Sequence, residues 1–98
     1  MPAPHLANLY RHYDAILNPI GSGAIFDSHW FIGRLAQAHQ TDYIQALNHY
    51  AGHRAAFKVL HRSLSSRLRR HRQAIYAGRT NSGDVFGDNV SNANWRRR

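Results

Sequence analysis

Five cations recur at helical spacing in the middle of the chain: Arg54, Lys58, Arg62, Arg69 and Arg72. At about 100° per residue they fall along one stripe, with Ser65 filling the gap between Arg62 and Arg69. On a single helix that stripe would run about 27 Å at 1.5 Å per residue. Arg67 and Arg70 point elsewhere and widen the basic surface. No Asp or Glu occurs between Asp42 and Asp84, so the i,i+4 ion pairs that usually neutralise such a helix are missing. The chemistry available is anion binding: guanidinium is a planar fork that matches phosphate or carboxylate bidentately. The competing reading is a solvated face whose last arginines merely complement the helix dipole.

A second basic cluster is Trp95-Arg96-Arg97-Arg98. An indole beside three guanidiniums suits stacking on a base while clamping phosphates. It equally suits a loose end that touches nothing in the free protein.

The inventory for catalysis is thin, and no enzyme is expected. The five aspartates are scattered along the chain, and there is no glutamate or cysteine. Paired-carboxylate acid–base work, two-metal phosphoryl transfer and thiol nucleophiles are therefore disfavoured. No nucleophile elbow surrounds a serine, and Gly21-Ser22-Gly23 lacks a P-loop frame. Eight histidines raise the question of a metal. Only His49 and His53 have i,i+4 ligand spacing, with Gly52 between them and no glutamate following the first. His39, His61 and His71 fall on or near apolar faces, where packed histidines are commoner than ligands. Neither a metal nor a cofactor is expected. Histidines left exposed would add positive charge below pH ~6.5.

Charge is divided unevenly. Twelve of the thirteen Lys and Arg residues are Arg, and the net charge is +8. Residues 1–53 hold Arg11 and Arg34 against Asp14, Asp27 and Asp42, a net −1; residues 54–98 hold eleven cations against Asp84 and Asp88, a net +9. Such asymmetry points to a nucleic acid, a membrane surface or an acidic protein as partner. At 98 residues and 43% apolar content, one domain with one core is expected rather than disorder. No apolar run approaches the ~18 residues of a membrane span. The opening MPAPHLANLY lacks signal-peptide character, so a cytoplasmic location is expected.

The elements that must carry these residues read as helices. Leu6, Leu9, Tyr10, Tyr13, Ile16 and Leu17 share one helical face, which predicts a helix over 5–17, opened by Pro4 and closed by Asn18-Pro19. A loop through Gly21 and Gly23 leads to Asp27 or Ser28 as a helix cap. From Ser28 to Ala51 the helical phase holds through Ile32, Leu35, Ala36, His39, Tyr43, Leu47 and Tyr50. This is one helix, or two if Thr41-Asp42 opens a second. Trp30 and Phe31 either cover the end of the core or form a protein contact patch. Gly52 suits a break, and Phe57, Leu60, Leu64, Leu68 and Ile75 continue the apolar stripe toward Gly78, a natural helix end. Beyond it the residues are polar, rich in Asn and Gly, and without period.

The expected fold is all-α: a three- to four-helix bundle, or a helical hairpin plus an N-terminal helix. It comprises a helical domain over 1–78 and a disordered or extended tail over 79–98. The expected function is phosphate-directed, largely sequence-independent binding of DNA or RNA. The residues expected to bind are Arg54, Lys58, Arg62, Arg67, Arg69, Arg70, Arg72, Trp95, Arg96, Arg97 and Arg98. The alternative is a protein–protein adaptor or inhibitor, of the accessory kind found in phages and plasmids, docking on an acidic surface with Trp30 and Phe31 assisting. A homodimer through the long helix is compatible with either.

Overall fold

The computed structural model describes residues 3–98. Pro4 sits in the first turn of α1 (Pro4–Tyr10), where its missing N–H costs nothing. The chain turns at Arg11-His12 and resumes as the short α2 (Tyr13–Leu17). Leu9, Tyr13 and Leu17, four residues apart, stay in phase across that turn and are all fully buried or nearly so. The expected helix over 5–17 is thus present with a break. The Tyr13 hydroxyl donates to the Leu64 carbonyl at 2.6 Å, and burial pushes its pKa well above the usual phenol range.

Next comes β1 (Ile25–Asp27), then α3 (Ser28–Ala38), capped by the Asp27 carboxylate, which accepts from the Trp30 backbone N–H at 2.8 Å. α3 ends at His39, whose φ −133° and ψ 58° are not helical, and α4 (Gln40–Asn48) follows at once. Of the two arrangements open for residues 28–51, the structure has two helices. Phe31, Ile32 and Leu35 of α3 enter the core; α4 contributes one fully buried residue, Ala46, with Tyr43 and Leu47 half-buried beside it.

Both ends of α4 are fastened by stacked imidazoles, one to α1 and the other to the turn that follows it. His12 lies on His39 with ring centroids 3.5 Å apart, and His5 lies on His49 at 3.8 Å. His12 Nε2 also bonds Asp42 at 2.8 Å, and His5 Nε2 bonds the Tyr50 hydroxyl at 2.9 Å. Burial, with the neighbouring ring second, holds the pKa of both His5 and His39 below the ordinary histidine value. On the other side of α4, the Tyr43 hydroxyl meets His61 Nε2 at 2.7 Å; burial raises Tyr43 to about 12 and lowers His61.

α5 (Ala56–Leu68) buries Leu60, Leu64 and Leu68 at i, i+4 and i+8. It then stops. Its C-cap, Arg69, still has helical backbone angles, and after a turn the chain enters β2 (Ala74–Gly83) and β3 (Asn89–Arg97).

The expectation of an all-α fold with a loose tail is therefore corrected. The protein is a mixed helix-and-sheet structure with an antiparallel sheet in the order β1-β3-β2. Gly78 does not end a helix. With φ +98° it sits where the register slips from Tyr76↔Trp95 to Arg79↔Ala93, so two residues of β2 oppose one of β3. The hairpin closes through Asp84, whose carboxylate accepts from the N–H groups of Phe86 and Asp88, with Gly87 at φ +82°. Phe86 at its tip returns to α5, edge-on to Phe57 at 4.8 Å.

The former tail supplies the centre of the core. Trp95 is 1% exposed; its Nε1 donates to Ser28 Oγ at 2.8 Å, and Ser28 Oγ meets Ser65 Oγ at 2.7 Å. This ties β3, α3 and α5 together through polar atoms that burial would otherwise leave unsatisfied. Asn92, also buried, accepts from the His29 N–H and donates to the Thr80 carbonyl.

Candidate nucleic-acid interface

With Leu60, Leu64 and Leu68 buried, one face of α5 is left to solvent. Lys58 and Arg62 are exposed there, four residues apart on one face, and Arg69 extends the row because its backbone is still helical. The row from Lys58 to Arg69 covers about 16 Å at 1.5 Å per residue. This shortens the expected stripe, which needed helix from Arg54 through Arg72. Arg54 instead precedes α5 in the turns after α4, exposed, and Arg72 lies in the turn before β2. Arg69 is steadied by the Tyr76 ring of β2, its guanidinium carbon 4.8 Å from the centroid.

The other arginines after the middle of α5 turn toward α1. Arg67 is half-buried with its guanidinium over the Tyr10 ring at 4.9 Å. Arg67, Arg70 and Arg72 line an open cavity of about 360 Å³, together with Arg11, the C-cap of α1. Arg11 was not among the expected site residues. It stands in the near-neutral half of the sequence, and no local spacing links it to the others.

The C-terminal cluster is rearranged more severely. Trp95 is a core residue here, so the expected stacking of a base on its ring is corrected: both its apolar surface and its N–H are already used. Arg96 is exposed, paired across the sheet with Ile25 on one side and Ile75 on the other. Arg97 is half-buried and spends its Nε–H on the Leu17 carbonyl at 3.0 Å. Arg98 donates from Nε to the Arg72 carbonyl at 2.7 Å, which sets it beside the turn that carries Arg70 and Arg72. Three adjacent arginines thus have three different surroundings. Of the proposed protein-contact pair, Phe31 is fully buried in the core and Trp30 is 44% exposed.

The balance of charge is what distinguishes this surface. Among the described residues, only Arg11 and Arg72 of the thirteen Lys and Arg lie within ion-pair distance of an aspartate, Arg11 at 3.5 Å from Asp42 and Arg72 at 3.8 Å from Asp14. Asp42 and Asp14 are also engaged by His12 and His71, each at 2.8 Å. Asp27 caps α3 and Asp84 shapes the hairpin turn. Arg54, Lys58, Arg62 and Arg69 are left facing solvent without a counter-charge.

Comparison with known families, curated proteins and solved structures finds no match.

The site therefore has to be read from its own chemistry. No group of three or more His or Asp residues that could hold a metal ion is present among the described residues. No helix among them is long and apolar enough to cross a membrane. What the surface offers is fixed positive charge, borne mostly by guanidinium, on a short rigid helix and the turn that follows it.

Proposed function

We propose that the protein is a non-enzymatic nucleic-acid binder that contacts phosphates through Arg54, Lys58, Arg62 and Arg69, with little sequence preference. The observation that carries this reading is the row of cations on and beside α5, none of which has an aspartate within ion-pair distance among the described residues. Unpaired cations held on a rigid element are the means by which proteins displace counterions from a phosphate backbone. A face that is merely solvated binds no oligonucleotide at any salt, so salt-dependent binding decides for the proposal.

The test is a titration of labelled single- and double-stranded oligonucleotides across a range of salt, with wild type beside a Lys58→Gln/Arg62→Gln/Arg69→Gln variant. Three lost phosphate contacts should lower the log–log salt slope on duplex by about 2.7, at about 0.9 each. Absence of binding at low salt, or an unchanged slope in the variant, defeats the proposal.

A second reading has an observation of its own. Trp30 leaves 44% of its surface exposed on α3, which favours docking on an acidic protein face, where an aromatic anchor beside charge is common. One stoichiometric protein partner, lost on Trp30→Ala with oligonucleotide binding absent throughout, would support it.

A further inference from the structure

The cavity between α1 and the end of α5 differs from the open row in shape and in composition. Four guanidiniums, from Arg11, Arg67, Arg70 and Arg72, share its lining with His71 and a single carboxylate, Asp14. The elements that meet here are far apart in sequence, and three of the four arginines make a contact within the protein. Arg67 rests on Tyr10, Arg72 reaches Asp14, and Arg11 is shared with Asp42. His71 is fixed too. Its Nδ1 accepts from the Gln73 N–H at 3.0 Å, so Nε2 carries the proton donated to Asp14 Oδ1 at 2.8 Å. Asp14 is thereby occupied in orienting His71 and Arg72, and most of the guanidinium hydrogen-bonding capacity in the cavity is unspent.

A phosphodiester in a strand exposes two free oxygens and one charge, which a single arginine fork satisfies. A phosphomonoester has three free oxygens and a charge of about −1.5 to −2 at neutral pH. Several convergent guanidiniums suit the monoester better. A concave site also favours a chain end or a small molecule over a backbone running past. The volume of about 360 Å³ lies at the small end of ligand pockets, typically about 300–1,000 Å³.

We propose that this cavity binds a phosphomonoester dianion through Arg11, Arg67, Arg70 and Arg72, supplied by the phosphorylated end of a nucleic-acid strand or by a free mononucleotide. The strand-end source rests on the nucleic-acid reading above; the free source does not.

The test is calorimetric titration of the whole chain with three probes: a short oligonucleotide phosphorylated at its end, the same oligonucleotide with a terminal hydroxyl, and a nucleoside monophosphate. Wild type is compared with Arg11→Gln/Arg70→Gln, at two exposed positions that leave the Arg67–Tyr10 contact intact, and with Lys58→Gln/Arg62→Gln. The expected result is an affinity about ten-fold higher for the phosphorylated strand, the worth of one charge-assisted hydrogen bond. That preference should disappear in the Arg11/Arg70 variant and persist in the Lys58/Arg62 variant. Asp14→Asn, which removes the one negative charge lining the cavity, should raise the affinity. If the monophosphate binds and neither oligonucleotide does, the site stands with a free ligand and the nucleic-acid reading falls. Equal affinity for the two strands with no binding of the monophosphate overturns the proposal, while leaving the nucleic-acid reading intact. A preference that survives in the Arg11/Arg70 variant overturns it as well.

Discussion

Replacing Trp95 tests the architecture most directly, because a loose tail and a central strand give opposite answers. The side chain is 1% exposed and packs edge-on against Tyr76, 5.6 Å away. Truncating such a residue to alanine costs about 3–5 kcal/mol in lost burial and cavity formation. Its hydrogen bond to Ser28 adds little beyond about 1 kcal/mol, because Ser28 keeps its partner Ser65. A domain of this size has roughly 5–15 kcal/mol of total stability, so Trp95→Ala removes a large share. Trp95→Phe keeps most of the apolar surface and loses the N–H, for an expected cost of about 1–2 kcal/mol. Combined with Ser28→Ala in a double-mutant cycle, it should give a coupling of about 0.5–1.5 kcal/mol. Urea denaturation followed by far-ultraviolet circular dichroism measures all of these against wild type. A loss under about 1 kcal/mol for Trp95→Ala would refute the placement of β3 inside the core.

Acid should begin to destabilise the protein as pH falls below about 6.5. His5, His39 and His61 have folded-state pKa values below the ordinary 6.5, each chiefly through burial, so the folded form binds fewer protons than the unfolded one. Their contribution is complete above pH 6.5 and is lost as pH falls through the lowered values; melting temperatures that stay flat or rise from pH 7.5 to pH ~5 would contradict this. Asp42, lowered first by its hydrogen bond from His12, adds a second loss only below its ordinary value of 3.8. At Gly78, where φ is +98°, alanine should cost roughly 1–3 kcal/mol by strain. Denaturation of Gly78→Ala with no loss would remove the bulge.

The helical part of this fold could be read from the sequence because its signal is local. Leu9, Tyr13 and Leu17, like Leu60, Leu64 and Leu68, repeat at a spacing that places them on one face whatever else the chain does. The sheet has no such signal. β1 is three residues long, and β2 is made largely of small and polar residues. β3 buries only Ala93 and Trp95 as apolar residues, too short an alternation to stand out. Asn92 looks solvent-facing by type and is buried because His29 and Thr80 satisfy it. Ile75 fell by chance in the helical phase of α5, which carried the helix reading through the turn at Arg69–Gln73. The site divides the same way. Lys58 and Arg62 are neighbours through helical spacing, whereas Arg11 reaches Arg67 and Arg70 only through the packing of α1 on α5. The partial shielding of Arg97 comes with its bond to the Leu17 carbonyl, still more distant in sequence.

The strand order β1-β3-β2 also governs how the molecule can be made. β3 is the hydrogen-bonding partner of both other strands, yet it is synthesised after them. While a ribosome is still extending the chain, Phe26 has no Trp95 against which to align, and β1 can only wait as an unpaired edge. The helices can collapse early around Leu9, Leu35 and Leu64, but the nascent protein keeps one side of that cluster open to water. The sheet closes only once β3 has been made, because β3 supplies the paired edge of both β1 and β2.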